Sequence, residues 1–109
     1  MPNGFKPLRR VTTGANYSNA TLTTGSPALE ADGAILTAIP HTLILHNEST
    51  TDAEIIVLST SGSDEDIFAR LIPNTSLRTR CPRSQIPTIY AKSLSGTPVL
   101  LIEAEIQRP

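Results

Sequence analysis

Val99-Leu100-Leu101-Ile102-Glu103-Ala104-Glu105-Ile106 reads as a β-strand with two unequal faces. Side chains alternate across a strand, so Leu100, Ile102, Ala104 and Ile106 share one wholly apolar face that must turn toward a core. Val99, Leu101, Glu103 and Glu105 share the other, half apolar and half acidic. An antiparallel sheet with one wet face should be polar on that side. Leu43-Ile44-Leu45 and Ile55-Ile56-Val57-Leu58 break the same rule, being apolar on both faces. Burying one such side chain contributes about 1.5–3 kcal/mol. The pattern therefore predicts cover for the outer aliphatics, either from the N-terminal segment or from a neighbouring subunit.

Working outward from that strand, the rest of the chain reads as β structure too. Three Val, eleven Ile and fourteen Thr make 28 of the 109 residues β-branched, which suits a pleated surface better than a helix. Nine Pro and six Gly are spread through the sequence and leave few windows long enough for a helix. Strands are predicted at 34–39, 42–47, 53–59, 67–72, 76–80, 88–93 and 98–106. They are separated by turn signals such as Pro40, Ser61-Gly62-Ser63-Asp64, Pro73-Asn74, Cys81-Pro82 and Ser95-Gly96. About seven short strands at this spacing predict an all-β fold, an antiparallel β-sandwich. The stretch 63–72 also fits a helical face, with Ser63 and Asp66 loosely placed as a capping box; a strand is the preferred reading.

Residues 1–32 are short of large apolar side chains and rich in Thr, Ser, Asn, Ala and Gly. They are expected to form an extended arm ahead of a sandwich domain at 33–109, with 22–24 able to add a short edge strand. Ordering such a stretch costs about 1–2 kcal/mol per residue, so it needs a receiving surface. Phe5, Leu8, Val11, Tyr17, Leu22 and Leu29 are spaced as anchors for one. Charge is segregated although the net is only −1. Lys6, Arg9 and Arg10 stand in the first twenty residues with no acid. Eight acids and no base lie between Glu30 and Asp66, and five bases and no acid between Ile67 and Lys92. Patches arranged this way orient copies or partners more than they bind them.

Reactive chemistry finds little support. Asp64-Glu65-Asp66 offers oxygen ligands without the alternating spacing of a calcium loop. His41 and His46 fall on opposite faces of a strand, which spoils a shared metal site. Cys81 stands between Arg80 and Pro82 with no nucleophile elbow around it, and reads as a small thiol with a structural role. A hydrolase would have to draw on Cys81 or a Ser with His41 or His46, and no local motif supports it. No catalytic, metal or cofactor site is expected. Arg78-Thr79-Arg80-Cys81-Pro82-Arg83 is the densest basic stretch, but Arg78 and Arg80 share a strand face and pair more simply with an acidic patch. Without interleaved aromatics or a basic field, neither nucleic acid nor a membrane is expected as partner. Four N-x-[ST] sequons, beginning at Asn16, Asn19, Asn47 and Asn74, arise readily in a chain this rich in Ser and Thr.

Leu43-Ile44-Leu45-His46-Asn47, Ala53-Glu54-Ile55-Ile56-Val57-Leu58, Ile72-Pro73-Asn74-Thr75-Ser76-Leu77 and Thr88-Ile89-Tyr90-Ala91-Lys92-Ser93-Leu94-Ser95-Gly96-Thr97 follow one another in an order that resembles small β-sandwich structural proteins of tailed-phage virions. The likeness is one of pattern and spans roughly residues 33–106. It implies a non-enzymatic virion component present in many copies: a capsid cement or decoration protein, or else a neck, collar, tail or fibre part. Partners would be the major capsid protein or other virion proteins, together with further copies in a homo-oligomer. Contacts are expected at Phe5, Leu8, Arg9, Arg10 and Tyr17 of the arm and at Val99 and Leu101 of the outer sheet face. A glycan-recognising sandwich is the other class left open, although only Tyr17 and Tyr90 are available as tyrosine platforms.

Overall fold

A computed structural model describes residues 4–20, 41–81 and 88–106. It is an all-β sandwich of two four-stranded antiparallel sheets. The strands are β1 (Gly4–Thr12), β2 (Ser18–Asn19), β3 (His41–Asn47), β4 (Ile56–Ser59), β5 (Ile67–Leu71), β6 (Ser76–Cys81), β7 (Tyr90–Ser93) and β8 (Val99–Ile106). One sheet has the order β1-β8-β3-β6 and the other β2-β7-β4-β5. The strands expected from residue 42 onward all form, with ends shifted by up to three residues. Those expected at 34–39 and 22–24 lie outside the described residues, as does the boundary drawn at 32/33.

The deciding strand behaves as its alternation requires. Leu100, Ile102 and Ala104 are fully buried and pack with Leu43 and Leu45 of β3. Ile56 and Leu58 of β4, Leu71 of β5, and Ile89 and Ala91 from the β7 side close the core from the other sheet. Register sets Leu45 beside Ile102 and Leu43 beside Ala104, so the two central strands of one sheet contribute adjoining layers. The core is aliphatic, as expected from the scarcity of aromatics.

Asn47 ties the sheets together where β3 ends. Its buried side chain donates through Nδ2 to the carbonyls of Glu54 (2.8 Å) and Leu71 (2.9 Å), and its Oδ1 accepts from the amide of Ser49 (2.9 Å). An apolar residue would leave those groups without partners. The same residue's backbone carbonyl accepts from Asn74, which holds the turn before β6 in the left-handed region at φ 60°. Asn tolerates that conformation better than most residues with a Cβ.

Three expectations are modified. The N-terminal segment is extended, but over its described part, 4–20, it is not a free arm. β1 pairs antiparallel with β8 from Gly4↔Ile106 to Thr12↔Val99, and β2 pairs with β7. Val11, Thr13 and Ala20 are buried, and the Thr13 hydroxyl donates to the Pro98 carbonyl at 2.7 Å. Small or compact side chains suffice there because the strand closes the margin of a core built by larger residues. Its surface is therefore the chain's own β8 and β7. In the stretch 63–72, both readings share the outcome. Ser63 caps a single 3-10 turn, Asp64–Asp66, by accepting from the Glu65 amide, and β5 follows directly. Finally, most of the outer aliphatics are covered within one chain. Leu101 and Ile44 are only 8% exposed, and Val57, set between Arg70 and Lys92 in register, is buried. Long charged side chains cover neighbouring apolar surface with their stems while keeping their heads in water.

Candidate functional site

The expected contact residues fall into two groups on opposite sides of the sandwich. In the first sheet, register brings Arg10 beside Leu101 and Thr12 beside Val99. Phe5 stands opposite Glu105, and the pairing shifts between Pro7 and Arg9, so that Leu8 sits in a bulge. Arg9 pairs in register with Ile102. A proline and a bulge on an outer strand both discourage pairing with a further strand.

Arg10 and Val99 line a groove of about 470 Å³ at the end of the sandwich. Its walls are the loop Glu48-Ser49-Thr50-Thr51, Glu54, and Thr97-Pro98 ahead of β8. The Arg10 guanidinium donates from Nε to Glu48 Oε1 at 3.0 Å, across a rim where both side chains are partly wet. Exposed pairs of this kind contribute at most about 1 kcal/mol to stability. Beside the groove Gly96, at φ +66°, lets the Glu54 carboxylate approach the backbone: a Cβ there would meet Glu54 Oε2 at 2.7 Å. Sequence reasoning did not single out Glu54, Thr51 or Thr97. Their only signal was the Ser95-Gly96 turn, which says that the chain reverses and not what faces it.

Tyr17 lies with the other sheet. Its hydroxyl donates to Asp64 Oδ1 at 2.7 Å, and Lys92 Nζ approaches the same oxygen at 2.5 Å. The Lys92 ammonium also lies over the Tyr17 ring, 4.8 Å from its centre. The cluster fastens the segment before β2, the 3-10 turn and β7 to one another. Desolvation, with the hydrogen bond to Asp64 next, pushes the Tyr17 phenol up to about 12. The hydrogen bond from Lys92, then that from Tyr17, holds the Asp64 carboxyl below its ordinary value. Among the described residues the complementary charge blocks thus meet in two ion pairs, Arg10–Glu48 and Lys92–Asp64, while Arg78 pairs with Glu105 of β8.

Two apolar features were not anticipated. Leu71, Ile56 and Ser93 are buried on the inner side, so alternation turns Ile72, Ile55 and Leu94 to the outside. The Leu94 amide donates to the Ile55 carbonyl, which continues the β4–β7 pairing by one residue and sets these side chains in a row across the sheet. Ile72 is 57% and Leu94 52% exposed. Phe68, 44% exposed, lines the second feature, a wholly apolar cleft of about 190 Å³ that reaches Leu43 and Leu45 and is bordered by Ile89, Thr60, Thr79 and Thr88.

Chemistry at the remaining candidates is limited. His46 Nδ1 and Ser76 Oγ share a hydrogen bond of 2.6 Å on the outer face of the first sheet, and neither residue lines either cavity. Asp64 is taken up by Tyr17 and Lys92, and Asp66 by the Ser61 hydroxyl. Among the described residues no three His, Cys, Asp or Glu side chains gather as a metal would need. The sequon asparagine Asn47 is buried and out of reach of any modifying enzyme. Among the described residues no helix is long and apolar enough to cross a membrane. Compared with known proteins, the chain matches no family model and no curated protein.

Proposed function

We propose that this chain is a structural protein of a tailed-phage virion, a capsid cement or decoration protein that holds shell subunits by surface contact and performs no chemical step. The pattern likeness of residues 33–106 suggests the class. The observation that carries the reading is the groove beside β1, which gathers Arg10 and Val99, two of the residues expected to make contacts. Its rim is charged and hydroxyl-bearing, and Pro98 and Val99 add apolar surface. That mixture of an apolar part and a polar rim is how protein–protein contact surfaces are made. An extended segment of a shell protein is the occupant that such a groove fits.

The test is cosedimentation of the purified chain with capsid shells of the phage that encodes it. Saturable binding, lost in Arg10→Glu and Val99→Asp variants that keep the wild-type melting curve, is the expected result. No binding to shells overturns the cement reading, and binding to isolated tails instead transfers the chain to the neck or tail. Removing residues 1–30 is a poorer probe, because it strips Val11, Thr13 and Ala20 from the core together with two paired strands.

A further inference from the structure

We infer that copies of this chain stack face to back, the outer face of the β2-β7-β4-β5 sheet of one copy lying on the outer face of the β1-β8-β3-β6 sheet of the next. The first of these faces carries Ile72, Ile55 and Leu94 in one row. Two residues back along β5 it carries Arg70, which is exposed and makes no ion pair among the described residues. Wet aliphatics beside an exposed cation call for a surface that is flat and apolar in part, and acidic at one point.

The opposite side of the same molecule is such a surface. Half-buried Val99 gives it apolar surface, and Ile44 and Leu101, each 8% exposed, lie beneath it. Glu103, in register beside Ile44, is half-buried and makes no ion pair among the described residues. Two neighbouring carboxylates of that side have cations, Glu105 with Arg78 and Glu48 with Arg10. Arg70 of one copy and Glu103 of the next complete each other while Ile72 and Leu94 lose water.

Pairing of the aliphatic face with itself is disfavoured. A two-fold axis along the strands lays Arg70 of one copy over Lys92 of the other. An axis across the strands through the row leaves only the row overlapped. Like charges set opposite one another suppress an association even where apolar contacts favour it. The contact is therefore between different patches, and such a contact propagates into a ring or an open stack. This inference is independent of the virion reading: the chain can stack without binding shells and bind shells without stacking.

Sedimentation velocity on the full chain tests it. The wild type is expected to exceed the 11.7 kDa monomer, with mass rising with concentration. An Ile72→Asp, Leu94→Asp double variant blocks one face and Glu103→Arg blocks the other. Each is expected to weaken association at least about tenfold while far-UV circular dichroism stays unchanged, since these side chains lie at the surface. Mixed, the two blocked chains still offer one intact face each, and a 1:1 complex that grows no further is expected. Arg70→Glu and Glu103→Arg in one chain reverse the pair and restore association. A wild type that stays monomeric at all concentrations, blocked variants that associate as the wild type does, a mixture that stays monomeric, or a reversed pair that fails to associate would overturn the inference.

Discussion

Replacing Asn47 with Ala is expected to be among the most damaging single changes outside the aliphatic core. Three hydrogen bonds end on this side chain, and the one to the Leu71 carbonyl is buried. Losing a partner to a buried polar group costs about 1–3 kcal/mol, and a part-buried one about half that. The buried Leu71 carbonyl and the part-buried Glu54 carbonyl and Ser49 amide together put the loss at about 2–6 kcal/mol. A domain of this size has about 5–15 kcal/mol in total. The melting temperature should fall by about 8–48 °C. Urea unfolding followed by far-UV circular dichroism measures it: the midpoint should drop while the slope stays constant, because the surface exposed on unfolding is unchanged. Asn47→Asp sharpens the test. At neutral pH its carboxylate would face the Glu54 and Leu71 carbonyls, so it should be worse than Ala. Protonation restores one donor, so its deficit should shrink toward pH 4. A loss below about 1 kcal/mol in the Ala variant, or an Asp variant indifferent to pH, would refute the idea that this side chain joins the sheets.

Other outcomes follow from the same structure. Leu45→Ala, in the middle of β3, should cost about 2–5 kcal/mol in the same unfolding assay, since the fully buried site cannot collapse around the missing methyls. Gly96→Ala should destabilise by about 1–2 kcal/mol from its left-handed backbone and should also push the Glu54 carboxylate aside, weakening shell binding in cosedimentation. Tyr17 should ionise near pH 12 by ultraviolet absorbance. Its folded value is raised, so its contribution to stability is whole below pH 10 and is lost as pH rises from 10 toward 12. In Asp64→Asn the phenol should titrate lower, and an unchanged titration would remove Asp64 from the cluster. The Asp64 carboxyl is shifted the other way, so its contribution is present above its ordinary value and is lost only as pH falls below it.

How far the residues could be read differs from place to place. The core face of β8 was legible because a period of two leaves no other arrangement for Leu100, Ile102 and Ala104. The doubly apolar Ile56-Val57-Leu58 was also legible as a central strand, and β4 is flanked on both sides. Ser63 announced a cap but not its length, since a single 3-10 turn and a full helix begin alike. The N-terminal segment was misjudged because its burial rests on Val11, Thr13 and Ala20. Small side chains give a weak hydrophobic signal even when they close the edge of a core. Proline at position 7, tolerated on an outer strand, was the one local hint.

Alternation along each strand, which is local and set by backbone geometry, determined from the sequence alone that the chain is an aliphatic, antiparallel sandwich, which residues of β8 face its interior, and where the chain turns beyond residue 40. Only the folded arrangement decided which outward residues are wet. Exposure depends on what stands beside a residue on the next strand, and that neighbour is distant in sequence. Val57 is hidden between Arg70 and Lys92, and Leu101 lies next to Arg10, whereas Ile72 and Leu94, beyond the ends of their strands on either side of Ile55, stay exposed. The surface this protein presents to solvent is set by those long-range neighbours.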